Sequence, residues 1–100
     1  MRSILRIRWT EEATNNLENI ILYLEANWSE KELKTFFTKL EKQLELISIF
    51  PQAYPVSLKR TKVHRCVFTK NVTIYYKVEN GFIFLLSIFD TRQHPKRLKI

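Results

Sequence analysis

Glycine, proline and cysteine are all scarce in this chain of 100 residues, which contains one Gly, three Pro and one Cys. Because Gly81 stands alone, the glycine-rich loop that cradles phosphates in nucleotide-binding proteins cannot form. The same scarcity leaves no segment suited to a flexible linker, so we expect one compact domain spanning residues 1–100. With Cys66 as the sole cysteine, no intramolecular disulfide is possible, which suits a reducing compartment.

Long apolar runs are absent as well. The longest, residues 82–89, falls far short of the roughly 20 residues that a helix needs to cross a bilayer. Charges at Arg2 and Arg6 interrupt the N-terminus before the apolar core of a signal peptide can form. We therefore expect a cytoplasmic protein without membrane contact. Two histidines, one cysteine and scattered carboxylates show no ligand spacing, so neither a metal nor a cofactor is expected.

Acidic residues are scarce in one half of the chain. Residues 1–50 carry seven Lys/Arg against eight Glu, a balance of −1, whereas residues 51–100 carry ten Lys/Arg against Glu79 and Asp90, a balance of +8. The basic excess therefore belongs to one part of the fold. Such a distribution is typical of a surface that meets phosphates or an acidic protein.

Two amphipathic helices are predicted in the first half of the chain. Apolar residues recur at helical spacing over residues 11–26, and Thr10 is placed to cap the N-terminus of this helix. A second apolar stripe runs over residues 29–50, where Ser29 and Glu32 have the spacing of a capping box. So short a connection predicts an antiparallel helical hairpin.

Four segments have the pattern of β-strands. One, residues 4–9, precedes the helices, and the others are residues 63–69, 72–78 and 82–89. An Asn-Gly pair at 80–81 predicts a tight type I′ hairpin between the last two. The last strand is apolar on both faces and is therefore predicted to be central and covered on both sides. We predict an α+β fold with the order β-α-α-β-β-β, in which the helical hairpin packs on one face of a curved, mostly antiparallel sheet.

Five short segments carry a family resemblance through their order and spacing. They are residues 9–13 at the start of the first helix, 49–51 at the end of the second, 64–68 and 72–78 in the middle strands, and 85–95 at the last strand and its exit. Together they resemble the RelE/ParE superfamily, the toxins of type II toxin–antitoxin systems, over about the whole chain. The resemblance implies the element order given above.

The resemblance also implies a function. RelE-like members cleave messenger RNA in the ribosomal A site, whereas ParE-like members poison DNA gyrase without cutting anything themselves. Both are held inactive in a hetero-oligomeric complex by a cognate antitoxin, whose extended acidic or amphipathic segment wraps the toxin. A shared fold does not choose between these activities. Ribosome-dependent mRNA cleavage is the favoured expectation here, and the alternatives are gyrase poisoning or a degenerate toxin that only binds its antitoxin.

Cleavage of the RelE kind uses the 2′-OH of the RNA itself, so it requires cations that stabilise the phosphate and a group that moves protons. The candidate catalytic residues are Arg92, Arg65 and His94, and the candidate RNA- and phosphate-binding residues are Lys59, Arg60 and Lys62. The competing interpretation is that these cations solubilise the surface or dock the antitoxin, and that Arg65 braces the sheet. The segment 72–78 lacks the arginine that RelE-type nucleases commonly carry there, which favours the ParE-like alternative.

Overall fold

The computed structural model describes residues 4–56 and 62–92 of the chain. The predicted α+β class and element order are confirmed, and the predicted ends of the helices and strands lie within two residues of the observed ones. Pro51 opens a short 3₁₀ turn inside the predicted loop, because its fixed φ suits the first position of a helix. The elements are β1 (Arg6–Trp9), α1 (Glu11–Glu25), α2 (Glu30–Ile49), the 3₁₀ turn (Pro51–Ala53), β2 (His64–Val67), β3 (Val72–Glu79) and β4 (Phe82–Asp90).

The four strands form one sheet in the order β1-β4-β3-β2. The pairs β2–β3 and β3–β4 are antiparallel, while β1 runs parallel to β4, so the sheet is mixed but mostly antiparallel, as predicted. Asn80 and Gly81 both have positive φ, 52° and 80°, as the two central residues of a type I′ turn require. An irregularity between Tyr75 and Tyr76 leaves Leu86 of β4 without a partner on β3, the signature of a β-bulge.

Both predicted helix caps are present. The hydroxyl of Thr10 accepts a hydrogen bond from the amide of Ala13 at 3.2 Å. Ser29 and Glu32 form a complete capping box, in which each side chain accepts a hydrogen bond from the backbone amide of the other. These bonds satisfy amides that a helix start otherwise leaves unpaired, and they fix where α1 and α2 begin. Neither described helix is both long enough and apolar enough to cross a lipid bilayer.

The core lies between the helical hairpin and one face of the sheet. Most of the predicted apolar stripes are buried there, although Phe37 of α2 is 37% exposed because it lies at the margin of its stripe. The prediction that β4 is central is confirmed, but full coverage of both its faces was wrong, since Phe82 and Phe84 remain partly exposed. The large side chains buried in this core are Ile20, Leu24, Phe36, Leu40, Ile47, Ile74, Tyr76, Ile83 and Leu85.

Candidate functional site

The most concentrated set of polar contacts lies at the end of β4. Arg92 donates to the buried carboxylate of Asp90 three times, from its backbone amide at 2.8 Å, from Nε at 3.1 Å and from Nη2 at 2.9 Å. The Asp90 side chain is 0% exposed and that of Arg92 is 25% exposed. The two side-chain bonds, from Nε and Nη2, form a bidentate pair, which is the strongest form of an arginine–carboxylate pair.

Aromatic rings of the helical hairpin enclose the same guanidinium. Its carbon lies 5.5 Å from the ring centre of Tyr23 in α1 and 5.7 Å from that of Trp28 at the corner between the helices. The hydrogen bond to Asp90 is the main cause that raises the pKa of Arg92, and partial burial opposes it. Arg92 therefore joins the end of the sheet to the helical layer.

The residue between this pair is also fixed. The amide of Thr91 donates to the carbonyl oxygen of Asn71 at 2.9 Å, and its hydroxyl lies 3.3 Å from Oδ1 of Asn71. Asn71 belongs to the turn that joins β2 to β3. Consecutive residues at the exit of β4 are thus attached to the turn on one side and to the helices on the other.

Arg65 lies elsewhere. Its neighbours His64 and Cys66 are buried against the helices, so the alternation of a strand points the exposed side chain of Arg65 to the opposite face of the sheet. Lys62, two residues before β2, is also exposed. The structure therefore places Arg65 and Arg92 on different sides of the sheet and does not bring them together. The remaining predicted site residues, Lys59, Arg60 and His94, lie outside the described residues.

His64 is engaged in the core. Its Nδ1 lies 2.8 Å from the carbonyl oxygen of Tyr54, and because a carbonyl can only accept, this nitrogen must carry the proton. The imidazole stacks on Tyr76 with ring centres 5.0 Å apart and planes 10° apart. The Tyr76 hydroxyl in turn donates to the carbonyl oxygen of Pro51 at 2.6 Å, and burial raises the pKa of this phenol. His64 therefore has a structural role, as its position on the inner face suggests.

Cys66 is 1% exposed, and burial raises the pKa of its thiol from 9.0 to about 11. A thiol acts as a nucleophile only after it loses its proton, so Cys66 stays unreactive at neutral pH. Cys66 therefore acts as a small buried hydrophobic residue.

Two polar residues that matter to this region were not singled out from the sequence. Oδ1 of Asn16 in α1 accepts hydrogen bonds from the amide of Ile88 at 3.0 Å and from the hydroxyl of Ser87 at 3.2 Å, beside the bulge. No local signal reveals this contact, since its partners lie more than 70 residues apart. Asp90 was discoverable, because a carboxylate and a guanidinium two residues apart in sequence are close enough to form an ion pair.

The face of the sheet away from the helices carries cations over aromatic rings at its β1 end. The guanidinium carbon of Arg8 lies 4.7 Å from the ring centre of Phe82, and Nζ of Lys77 lies 5.9 Å from that of Phe84. Lys77 also pairs with Glu79 at 3.2 Å. We call this part of the sheet, formed by Arg6, Arg8, Lys77, Phe82 and Phe84, the open face. Its charge and its apolar rings suit contact with an acidic partner.

A groove of about 320 Å³ lies on the other side of the molecule, beside α2. Its floor is aromatic, formed by Trp28, Phe36 and Phe68, and the rings of Trp28 and Phe68 each meet Phe36 edge-on at about 6 Å. Lys31, Glu32 and Lys39 also line it. Apolar grooves with aromatic walls are a common form of peptide-binding surface.

A protein-family model matches most of the chain. The family model described as the ParE toxin of the type II toxin–antitoxin system, parDE, matches residues 7–95. No curated protein sequence matches the chain significantly.

Solved structures with a similar fold come from P. aeruginosa and Helicobacter pylori. A chain of the chromosomal ParDE toxin–antitoxin system from P. aeruginosa superposes with a TM-score of 0.73 at 13% identity, covering 87% of this chain and 96% of its own. A copper-bound mutant toxin from Helicobacter pylori gives 0.54 at 13% identity, covering 91% and 99%. A conserved hypothetical protein from Helicobacter pylori gives 0.57 at 16% identity, covering 89% and 97%. Identities this low indicate a shared fold and nothing more.

Proposed function

The chain belongs to the ParE toxin family of type II toxin–antitoxin systems, and on this premise we propose that it arrests growth as a non-enzymatic poison of DNA gyrase, restrained by a cognate antitoxin. ParE-like toxins stop gyrase by binding it, so this activity requires a protein-binding surface and no proton-transfer centre. The chain spans 96% of the similar P. aeruginosa chain, which belongs to a ParDE toxin–antitoxin system. Membership of a toxin family of type II toxin–antitoxin systems supports an antitoxin as the natural partner.

One observation carries the choice of gyrase over RNA. Within residues 4–56 and 62–92, three groups that could take part in RNA cleavage are already engaged in the fold, whereas Lys62 and Arg65 are exposed. The guanidinium of Arg92 is paired with Asp90, the imidazole of His64 is held by Tyr54, and Cys66 is buried. Phosphate stabilisation depends on donors that are free to meet developing charge, and these donors are not free.

Ribosome-dependent mRNA cleavage is the second candidate, and the exposed cations near β2 favour it. Lys62 and Arg65 are both exposed, and the sequence places Lys59 and Arg60 just before them. In that mechanism these four residues hold phosphates, while Arg92 and His94 keep the catalytic roles predicted from the sequence. A guanidinium that meets two phosphate oxygens at once suits such a site.

The deciding experiment applies both target assays to one purified preparation. We expect inhibited supercoiling and stabilised gyrase–DNA cleavage complexes, together with intact transcripts when the chain is added to translating ribosomes and read by primer extension. Cut transcripts together with normal supercoiling would show that the function is RNA cleavage and not gyrase poisoning. In that case Lys62→Ala combined with Arg65→Ala should lower the cleavage rate by about a hundredfold, the typical loss when phosphate-stabilising donors are removed.

The proposed partner has its own test in growing cells. Expression of the chain alone should arrest growth, and co-expression with the protein encoded by the adjacent reading frame should relieve the arrest through a stable complex. A segment that folds onto the toxin loses conformational entropy but gains buried area and charge complementarity. A chain that binds its neighbour yet inhibits neither gyrase nor translation would be a degenerate toxin.

A further inference from the structure

The backbone of β1 shows which of its groups face the rest of the sheet. The amide of Thr10 donates to the carbonyl oxygen of Leu85 in β4 at 3.2 Å. Backbone groups alternate sides along a strand, so the amides of Arg8 and Arg6 also face β4. The parallel register, in which Arg8 lies beside Phe84, agrees with this assignment.

The intervening residues face outward. The amide of Leu5 donates to the carbonyl oxygen of Ser48 at the end of α2, 3.1 Å away, on the side opposite to β4. By the same alternation, the amides of Ile7 and Trp9 point to that outer edge. In the part of the chain that the structure describes, neither amide has a hydrogen-bond partner. β1 is also the last strand of the sheet on this side, so its outer edge can accept another strand.

We propose that this edge receives an extended segment of the antitoxin as a fifth strand, with acidic and apolar side chains in alternation. The proposal rests on the function proposed above, because it takes the antitoxin as the partner. Addition of a strand to a free edge is a general mode of peptide recognition, in which backbone bonds provide affinity and side chains provide specificity.

The charges beside the outer edge of β1 predict which positions of the added strand are acidic. Arg6 and Arg8 are exposed on the open face, and Arg8 is held in place over the ring of Phe82. Side chains directly opposite each other on paired strands lie about 5 Å apart, so opposite charges there attract and like charges repel. A second copy of this chain, paired through β1, would bring arginines against arginines. The charge pattern therefore favours an acidic segment from a different protein over self-association.

The other face of β1 predicts which positions of the added strand are apolar. An open channel of about 600 Å³ runs between β1 and α2, with Ile7 and Leu44 among its apolar lining residues. The charged residues along the same channel are Glu41, Glu45 and Lys42, and the excess of carboxylates disfavours acidic side chains there. Trp9, which is 38% exposed, extends the apolar surface towards α1. Residues of the added strand that point to this side should therefore be apolar, while their neighbours beside the arginines should be acidic.

Amide hydrogen exchange followed by NMR tests the edge directly. The probe is the protein encoded by the adjacent reading frame, added to the full-length chain at about a hundredfold excess over its Kd. The amides of Ile7 and Trp9 should then exchange about a hundredfold more slowly than in the free chain, because about 99% of the molecules carry the partner. The amide of Arg8 is the internal control, since it faces β4 and should be protected in both states.

A charge-reversal pair tests the side-chain part of the proposal. Arg6→Glu combined with Arg8→Glu should weaken binding of the same protein by at least about tenfold, the effect of placing like charges across a strand pair. The matched control is Lys34→Glu with Lys70→Glu, which changes the net charge equally at exposed positions on α2 and in a turn and should leave affinity within about twofold. Thermal unfolding confirms that both variants are folded.

The outcomes separate the two proposals. A stable complex in which Ile7 and Trp9 still exchange rapidly would refute the added strand and leave the antitoxin partner in place. An equal loss of affinity in both charge variants would refute the specific role of Arg6 and Arg8. Absence of any complex would remove the proposed partner and the edge site with it.

Discussion

The carboxylate of Asp90 is fully buried and accepts three hydrogen bonds from Arg92, two residues further along the chain. A buried charge is tolerated in a protein only when it is paired and hydrogen-bonded. Arg92 therefore supports the fold at the point where β4 ends, whatever else it contacts. This support must be measured before any loss of activity at Arg92 is interpreted.

The first prediction concerns stability. Arg92→Ala should lower the free energy of unfolding by about 3 kcal/mol, because it leaves the Asp90 carboxylate buried without its partner. Adding Asp90→Asn to that variant should recover part of the loss, since the orphaned charge is removed while an acceptor for the backbone amide remains. Urea denaturation of the wild type and the two variants measures both effects. Equal stability of Arg92→Ala and the wild type would refute the structural role.

The helices and strands could be predicted from local patterns because their signals are local. The capping box at Ser29, the apolar stripes of both helices and the Asn80–Gly81 turn each act within a few residues, and all three were found where expected. The central position of β4 followed from its apolar composition. Each of these features depends on interactions between residues that are close in sequence, so the sequence predicts it directly.

The arrangement of the candidate site depended on long-range contacts, which local patterns do not express. Arg65 and Arg92 both looked suited to phosphate binding, yet the alternation of β2 and the pairing with Asp90 separate them. Asn16 resembled any polar residue on a solvated helix face, and its role appears only when β4 is placed beside α1. The partly exposed rings of Phe82 and Phe84 looked like core residues for the same reason.

The second prediction tests that long-range contact. Asn16→Ala should cost about 1–2 kcal/mol of stability, because the amide of Ile88 and the hydroxyl of Ser87 lose their shared acceptor beside the bulge. The matched control is Asn16→Asp, since a carboxylate oxygen can accept both bonds, and both variants are made together with Glu12→Gln because the Asn16 amide also donates to the Glu12 carboxylate at 3.0 Å. Chemical denaturation compares the two. If the aspartate variant loses as much as the alanine variant, acceptance by Oδ1 is not the source of the stability.

The third prediction concerns alkaline pH. The pKa of the Cys66 thiol is 9.0 when unperturbed and about 11 in the folded chain, so the folded state holds more protons between these values. Stability contributed by the buried thiol is therefore fully present below pH 9 and is lost as the pH rises through about 11. When the free energies of unfolding of the wild type and Cys66→Ala are plotted against pH, the two curves should run parallel below pH 9 and converge above it. Parallel profiles throughout would contradict this linkage.

Tyr76 does not confuse that comparison. Burial is the first cause that raises the pKa of its phenol, with the charges of Cys66 and Tyr54 adding to it. The part of its alkaline loss of stability that burial causes is common to both proteins and cancels in the difference between them, whereas the part caused by Cys66 disappears in Cys66→Ala and belongs to the effect of the thiolate. Alkylation of Cys66 by iodoacetamide, followed by mass spectrometry, gives an independent reading. It should be slow in the folded chain at pH 8 and fast in urea, because only the exposed thiol reaches its reactive ionised form.

The last prediction asks whether Arg92 also contacts the target. Asp90→Asn removes the negative charge that holds the guanidinium, whereas Arg92→Ala removes the guanidinium itself. Under the gyrase proposal, Arg92 acts only through the fold. Both variants should then inhibit supercoiling within about twofold of the wild type, once activity is normalised to the folded fraction measured by circular dichroism at low temperature. The opposite pattern would be an approximately hundredfold loss in folded Arg92→Ala, typical of a missing contact with developing charge, while Asp90→Asn stays fully active. That result would give Arg92 the direct phosphate or target contact predicted from the sequence, and it would show that this contact does not depend on the charge of Asp90.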